Sequence, residues 1–407
     1  MASIETRTSW LVAIVSLAIM STAFGAPYIA VVGLKSIAAD VGSARSVPAL
    51  ASSLVWFGAG LGGIAMGRMA DRIGVRWTVL TGGVMIAAGL ALASQGAVWQ
   101  LYVGHGVLMG LVGNAGINAP LYVYVSRWFD RRRGTALALI SSGQYVAGAV
   151  WPPVFERLIS TYGWRETMML FGGLEIAVVV PLAILFLRPP PETALATTAA
   201  DTLVSGAPVL GWPPNLVFTM LCVAAFCCCV PMSMPQGHLV ALCSDLGIAP
   251  AHGAAMLSVL LGTAFFSRQM WGWISDRVGG LHTVLIGSGW QMTAMTALIL
   301  TQDEIGLFTV TAFFGLGFAG IIPAYVLALR ELFPPQEAGW RIPTLLLSSG
   351  WGMATGGWLA GRLYDYFGYY APAFATGIGF NAVNFVLIAT LVVRYRRSRA
   401  MPVAARA

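Results

Sequence analysis

Gly67-Arg-Met-Ala-Asp71-Arg72-Ile-Gly74 recurs 205 residues later as Gly272-Trp-Ile-Ser-Asp276-Arg277-Val-Gly279. Each copy closes one apolar run and precedes another. Other pairs repeat at nearly the same offset: Arg157 and Gly163 with Arg362 and Gly368, and Ser141-Ser142-Gly143 with Ser348-Ser349-Gly350. The chain is therefore two related halves in the same order, and each polar octet marks an equivalent turn.

The runs around those turns belong in lipid. The 407 residues are 57% apolar and only 10% charged, whereas soluble domains carry about 25% charge. The 48 glycines suit membrane helices that pack backbone to backbone. Runs of ~20 apolar residues identify twelve spans, from 10–33 to 370–393, with 47–67, 134–156, 214–237, 250–274 and 340–362 among them. The expected fold is all-α, with twelve transmembrane helices in two six-helix bundles. These are 1–187 and 214–407, the second ending in a tail, joined by a linker over 188–213 rich in Pro, Ala and Thr.

Net charge is +7. In a membrane chain this excess reads as loop bias, not as an affinity for nucleic acid. Seventeen of the 23 basic residues fall on the face holding both termini. Lys35, Arg45, Arg157, Arg165 and Arg362 fall on the other. That asymmetry places both termini in the cytoplasm of a multi-pass protein, expected in a bacterial inner membrane. Arg268 alone belongs to neither face. It lies ~12 Å below the boundary marked by Asp276 at the helical rise. A charge at that depth normally faces protein or water and pairs with something negative.

The octet resembles the signature loop of the major facilitator superfamily, and the likeness in span count and repeat covers essentially the whole chain. It implies a transporter whose halves rock about a central site, with Gly67, Asp71, Arg72, Gly74, Gly272, Asp276, Arg277 and Gly279 governing the change of conformation. On a physical reading, Gly67 and Gly272 would permit close helix approach, and Asp71 and Asp276 would cap or pair at helix ends. The resemblance also implies that spans 1, 4, 7 and 10 line the cavity.

Several side chains on those spans are candidates for substrate contact. Gly106, Gly110, Asn114, Asn118 and Tyr122 follow at steps of four, small at one end and polar at the other. A packing stripe with interhelical hydrogen bonds is the competing reading. In span 7, Pro231 and Pro235 are expected to weaken the helix near Gln236 and His238. His238 is a candidate ligand or proton carrier; an interfacial role competes. Tyr28 follows Pro27, and Tyr325 follows Pro323; both are site candidates or core aromatics. Glu175, deep in span 6, is a second candidate proton carrier or a neutral structural group.

Ser267-Arg268-Gln-Met-Trp271-Gly272-Trp-Ile-Ser-Asp276-Arg277 resembles span 8 of the monocarboxylate transporters and the related oxalate–formate antiporters. So does Phe24-Gly25-Ala-Pro27, with Lys35 at the outer end of span 1. The resemblance implies that Arg268 engages a substrate carboxylate, for which a planar guanidinium is well shaped. Two positions depart from the pattern. Tyr28 stands where the eukaryotic family has lysine, and Ala264 where it has aspartate, so proton coupling is open.

The expected function is alternating-access transport of a small organic monocarboxylate, with H+ as candidate co-substrate, by a functional monomer in the lipid bilayer. No cofactor or metal site is expected. No embedded Ser/His pair, ligand cluster or nucleotide loop points to an enzyme. The alternatives are an efflux or antiport carrier for a dicarboxylate or drug, or a ligand-sensing membrane protein. Against a drug antiporter, Gly143–Pro153 lacks the helix 5 element of that group.

Overall fold

The computed structural model describes residues 5–42, 44–129, 131–188 and 208–400. Residues 189–207 of the expected linker, and the tail from 401 with Arg406, lie outside them. The described chain is helical, with no β-strand beyond an isolated bridge between Val209 and Trp212.

Twelve long helices follow in order. They are α1 (Arg7–Val32), α2 (Ser46–Ile73), α3 (Val75–Ala93), α4 (Val98–Ser126), α5 (Arg133–Ser141 continued by Gly143–Tyr162) and α6 (Trp164–Phe186). The second set is α7 (Pro214–Asp245), α8 (Pro250–Val278), α9 (Gly280–Leu300), α10 (Glu304–Leu332), α11 (Ala338–Phe367) and α12 (Ala371–Ala400). Among the described residues ten helices are long and apolar enough to span a bilayer; α5 and α11 fall short. Both carry charged residues within the helix, Glu156 and Arg157 in α5 and Arg341, Arg362 and Asp365 in α11.

One apolar core lies within the first half, and the core of the second half also takes in Val31, Leu34, Ala49 and Tyr145 of the first. The halves meet along two seams, α2 against α11 and α5 against α8. Under the repeat α2 corresponds to α8 and α5 to α11, so each seam is the other's counterpart.

Helices outrun the apolar windows. Runs expected to end near 67, 156 and 362 continue to Ile73, Tyr162 and Phe367. Hydropathy stops at the first charges, whereas the helix stops where the backbone turns. At Gly74 (φ 88, ψ 152) and Gly279 (φ 82, ψ 164) the turn takes a conformation essentially confined to glycine. The two signature loops thus repeat in backbone angle as well as in sequence.

Two expectations are corrected. Pro231 and Pro235 do not interrupt α7, which is continuous. The Gln236 side chain donates to the Met232 carbonyl at 2.8 Å, and the Ser233 hydroxyl to Val230 at 3.1 Å. Gly67 and Gly272 do not mediate close packing in this conformation, since a Cβ at either would meet nothing within 4 Å. The tight glycines lie elsewhere. A Cβ at Gly58 would run into the Gly106 carbonyl, and one at Gly356 into the Val230 carbonyl.

Candidate functional site

The seam of α2 against α11 is closed at the end away from the signature loops. There Asp245, ending α7, holds Arg45 in a bidentate pair (2.5 and 2.7 Å) and Lys35 at 3.0 Å. Asp365 of α11 accepts from the backbone N–H groups of Arg45 and Ser46, capping α2 across the seam (2.8 and 3.0 Å). Arg45 also donates to the Tyr370 hydroxyl (3.1 Å) and lies over the Tyr364 ring. Further along α2, Phe57 stacks on Trp351 of α11 with centroids 5.5 Å apart.

Behind this clamp lies a cavity between the halves, with about 60 Å³ free. One water needs ~10–15 Å³ on that measure, so a small molecule fits. Phe24, Tyr28, Trp56, Tyr145, Leu261 and Met353 give it apolar walls, with Asn114, Gln144, Ser233 and Gln236 as polar points. Tyr28, Asn114 and Gln236 are thus brought together from α1, α4 and α7.

Asn114 ends a twelve-residue π-helical stretch, Val103–Asn114, within α4. Such i→i+5 geometry commonly accompanies functional sites. It redirects the stripe expected along this helix. Gly106 and Gly110 face Leu54 and Val55 of α2, while Asn114 turns into the cavity. Asn114 is 1% exposed, and neither its amide nitrogen nor its oxygen has a hydrogen-bond partner. The Asn118 side-chain oxygen, one turn on, is also unpartnered.

Arg268 sits beside the cavity, toward the signature loops. Its orientation follows from how α8 packs. Thr263, Ser267 and Trp271, at steps of four, donate to carbonyls of Ala312 and Leu316 on α10 (3.3, 2.6 and 2.8 Å). The neighbouring face, with Leu261 and Arg268 two turns apart, therefore points at α5. Leu261 contacts Gly148, and Arg268 reaches the Ser141 carbonyl at 3.5 Å, a long and weak bond. The guanidinium lies 5.4 Å from the centre of the Tyr145 ring. Tyr122 is within electrostatic range of both Arg268 and Tyr145. Among the described residues no carboxylate forms an ion pair with Arg268. A half-buried guanidinium is thus held by one long bond and a ring, an arrangement open to an incoming anion.

Other candidates lie outside this cavity. His238 is buried against α11 with both ring nitrogens engaged, Nε2–H donating to the Gly357 carbonyl (2.8 Å) and Nδ1 accepting from Tyr370 (3.1 Å). It belongs to the clamp, through the hydroxyl that also receives Arg45. Tyr325 donates to Asn384 inside the second half, in a network with Ser288 and Asn381. Glu175 is fully buried in α6 with neither carboxyl oxygen partnered. In the signature loops, Asp71 lies 3.7 Å from Arg127, Arg277 stacks on Trp273, and Arg72 and Asp276 are exposed.

Tyr145, Gln144, Asp245 and Asp365 were not singled out in the sequence. The first two lie within one turn of Ser141 in the repeated Ser-Ser-Gly segment, which was the available signal. The two aspartates are acids at helix ends, where acids are common.

Twelve helices in two six-helix halves around a central cavity define a carrier, and the chain belongs to the Major Facilitator Superfamily. The superfamily's sequence profile matches residues 10–236 and 221–407. Monocarboxylate transporter 13 of Bos taurus is 28% identical over 79% of this chain and 75% of its own. The MFS-type transporter pynF of Aspergillus niger is 24% identical over 79% of this chain and 73% of its own. Among solved structures, a bacterial homologue of the human lysosomal transporter Spinster, inward-facing and occupied, superposes with a TM-score of 0.74. It covers 96% of this chain and 98% of its own at 15% identity, a likeness of fold.

Proposed function

We propose that this carrier moves small organic monocarboxylates by alternating access, with the substrate carboxylate on Arg268. The observation that carries this reading is the guanidinium's setting. It stands where α4, α5 and α8 meet, half-buried beside the cavity and without an acidic partner among the described residues. A buried cation without a counter-ion is costly, and a bidentate carboxylate relieves that cost. The 28% identity to a protein named as a monocarboxylate transporter supports the same substrate class.

In this reading Tyr122 and Asn118 flank the carboxylate, and Tyr28, Asn114 and Gln236 receive the rest of the molecule. His238 and Tyr325 act indirectly, one through the clamp and one through the packing of α10 on α12. The basic bias of the signature-loop face places that face and both termini in the cytoplasm of an inner membrane. The structure then represents a state closed to the outside. A proton, if it travels, is carried by the acid itself or by Glu175, the buried carboxyl without a partner.

The test is uptake of labelled lactate, pyruvate and oxalate by proteoliposomes, with and without a pH gradient. Arg268→Gln should abolish uptake of every acid carried, and Arg268→Lys should retain part of it. Full uptake by Arg268→Gln would overturn the assignment. Stimulation by an inward proton gradient would establish symport; insensitivity would establish exchange or uniport.

A further inference from the structure

Resting on the carboxylate reading above, we propose that the preferred substrate is an elongated monocarboxylate with an aromatic body and a hydroxyl or carboxamide at its far end. The first argument is distance. Asn114 lines the cavity and Tyr122 stands beside Arg268, and the eight residues between them rise ~12 Å along α4. On α8, Leu261 lines the cavity and Arg268 lies seven residues on, a rise of ~10 Å. The backbone positions that carry the cation and the cavity amide therefore lie roughly 10 Å apart along the helix axes. A three-carbon acid reaches one of these two poles. An extended 3-(4-hydroxyphenyl)propanoate spans about 8–9 Å between carboxylate and phenol by ordinary bond lengths, and side-chain reach covers the rest.

The second argument is the wall between the poles. Tyr145 lies under the Arg268 guanidinium and also lines the cavity. Tyr28, Trp56 and Met353 line the same cavity. An aromatic ring in this cavity would have rings and a thioether among its neighbours, contacts worth more than an alkyl chain alone makes.

The third argument is the far pole. Asn114 is buried, faces the cavity, and has both its donor and its acceptor unused. A group that donates and accepts together completes it; a hydroxyl and a carboxamide both do, and a methyl does neither. Sites built to bond such a group discriminate strongly against analogues that lack it.

The experiment is equilibrium binding of propanoate, 3-phenylpropanoate and 3-(4-hydroxyphenyl)propanoate to the purified full-length protein in lipid nanodiscs. The wild type should bind phenylpropanoate at least ~10-fold tighter than propanoate, from ring burial. The hydroxyl should add a further ~10-fold. Asn114→Leu should reduce that hydroxyl ratio to about one, and the smaller Asn114→Ala should do the same if the leucine variant melts early. Arg268→Gln should lose all three acids. Equal binding of propanoate and the phenyl acids, or a hydroxyl ratio unchanged by either Asn114 variant, would overturn the proposal. If propanoate binds in an Arg268-dependent way without gain from ring or hydroxyl, the carboxylate reading stands and the elongated substrate falls. If no acid binds, both fall.

Discussion

Replacing Asp245 with asparagine removes the charge that ties the halves together at the closed end. The side chain is near-isosteric and keeps one acceptor oxygen, so the change isolates charge and one hydrogen bond. Lys35 lies 3.0 Å away with 42% of its side chain exposed, and such an exposed pair contributes ~0.5 kcal/mol. Arg45 is held more closely, by two hydrogen bonds with its side chain 14% exposed. A charge-assisted bidentate contact of that kind is worth ~1.5–3 kcal/mol. Together the loss is about 2 kcal/mol on the side of the closed clamp, or roughly 30-fold in the ratio of closed to open carriers. Ser53 reports the change, because it lines the cavity next to Gly357 and is 3% exposed here. Ser53→Cys is reacted with a membrane-impermeant thiol reagent added outside intact cells. The native cysteines are mostly buried, and the protein without the reporter supplies the background. Asp245→Asn should raise the labelling rate by ~10–30-fold, and Lys35→Gln only about twofold, as exposed pairs predict. An Asp245→Asn rate within twofold of the parent would refute the clamp.

Other outcomes follow from packing. Gly356→Ala places a Cβ against the Val230 carbonyl and Ser233 hydroxyl, so it should destabilise by ~1–3 kcal/mol and lower the melting temperature in detergent. Gly67→Ala, where nothing lies within 4 Å, should stay within ~0.5 kcal/mol of the parent. Asn384→Leu strips partners from Ser288, Asn381 and Tyr325 at once. Membrane hydrogen bonds average ~0.6 kcal/mol each, so it should cost about 2 kcal/mol, read as a melting shift of a few degrees.

The repeat, the twelve helices and the position of Arg268 were legible in the sequence because each rests on a coarse, strong signal. A run of apolar residues, a duplicated octet and an isolated charge do not depend on neighbouring helices. Asn114 was legible for a similar reason, as an amide in a stripe of small residues. The orientation of His238 was not. Helix α7 is buried on most of its surface, so its periodicity does not separate a cavity side from a packing side. Tyr325 is hidden in the same way, its direction set by Asn384 on a helix 59 residues away. The π-helical turn through Val103–Asn114 changes the periodicity itself, and a stripe counted in fours then mixes two faces. Tyr145 and Asp245 become visible only when α8 is laid against α5 and α7 against the start of α2. Those are contacts between halves, which no local pattern encodes.

The most direct measurement of the carboxylate anchor compares an acid with its own amide. Calorimetric titration of 3-phenylpropanoate and 3-phenylpropanamide into the purified carrier varies charge while holding shape nearly constant. The wild type should bind the acid at least ~10-fold more tightly, since a bidentate pair with a half-buried guanidinium is worth ~1.5–3 kcal/mol. In Arg268→Gln that preference should vanish. Equal affinity for acid and amide in the wild type, or a preference that survives in Arg268→Gln, would contradict the assignment of Arg268 as the anion anchor.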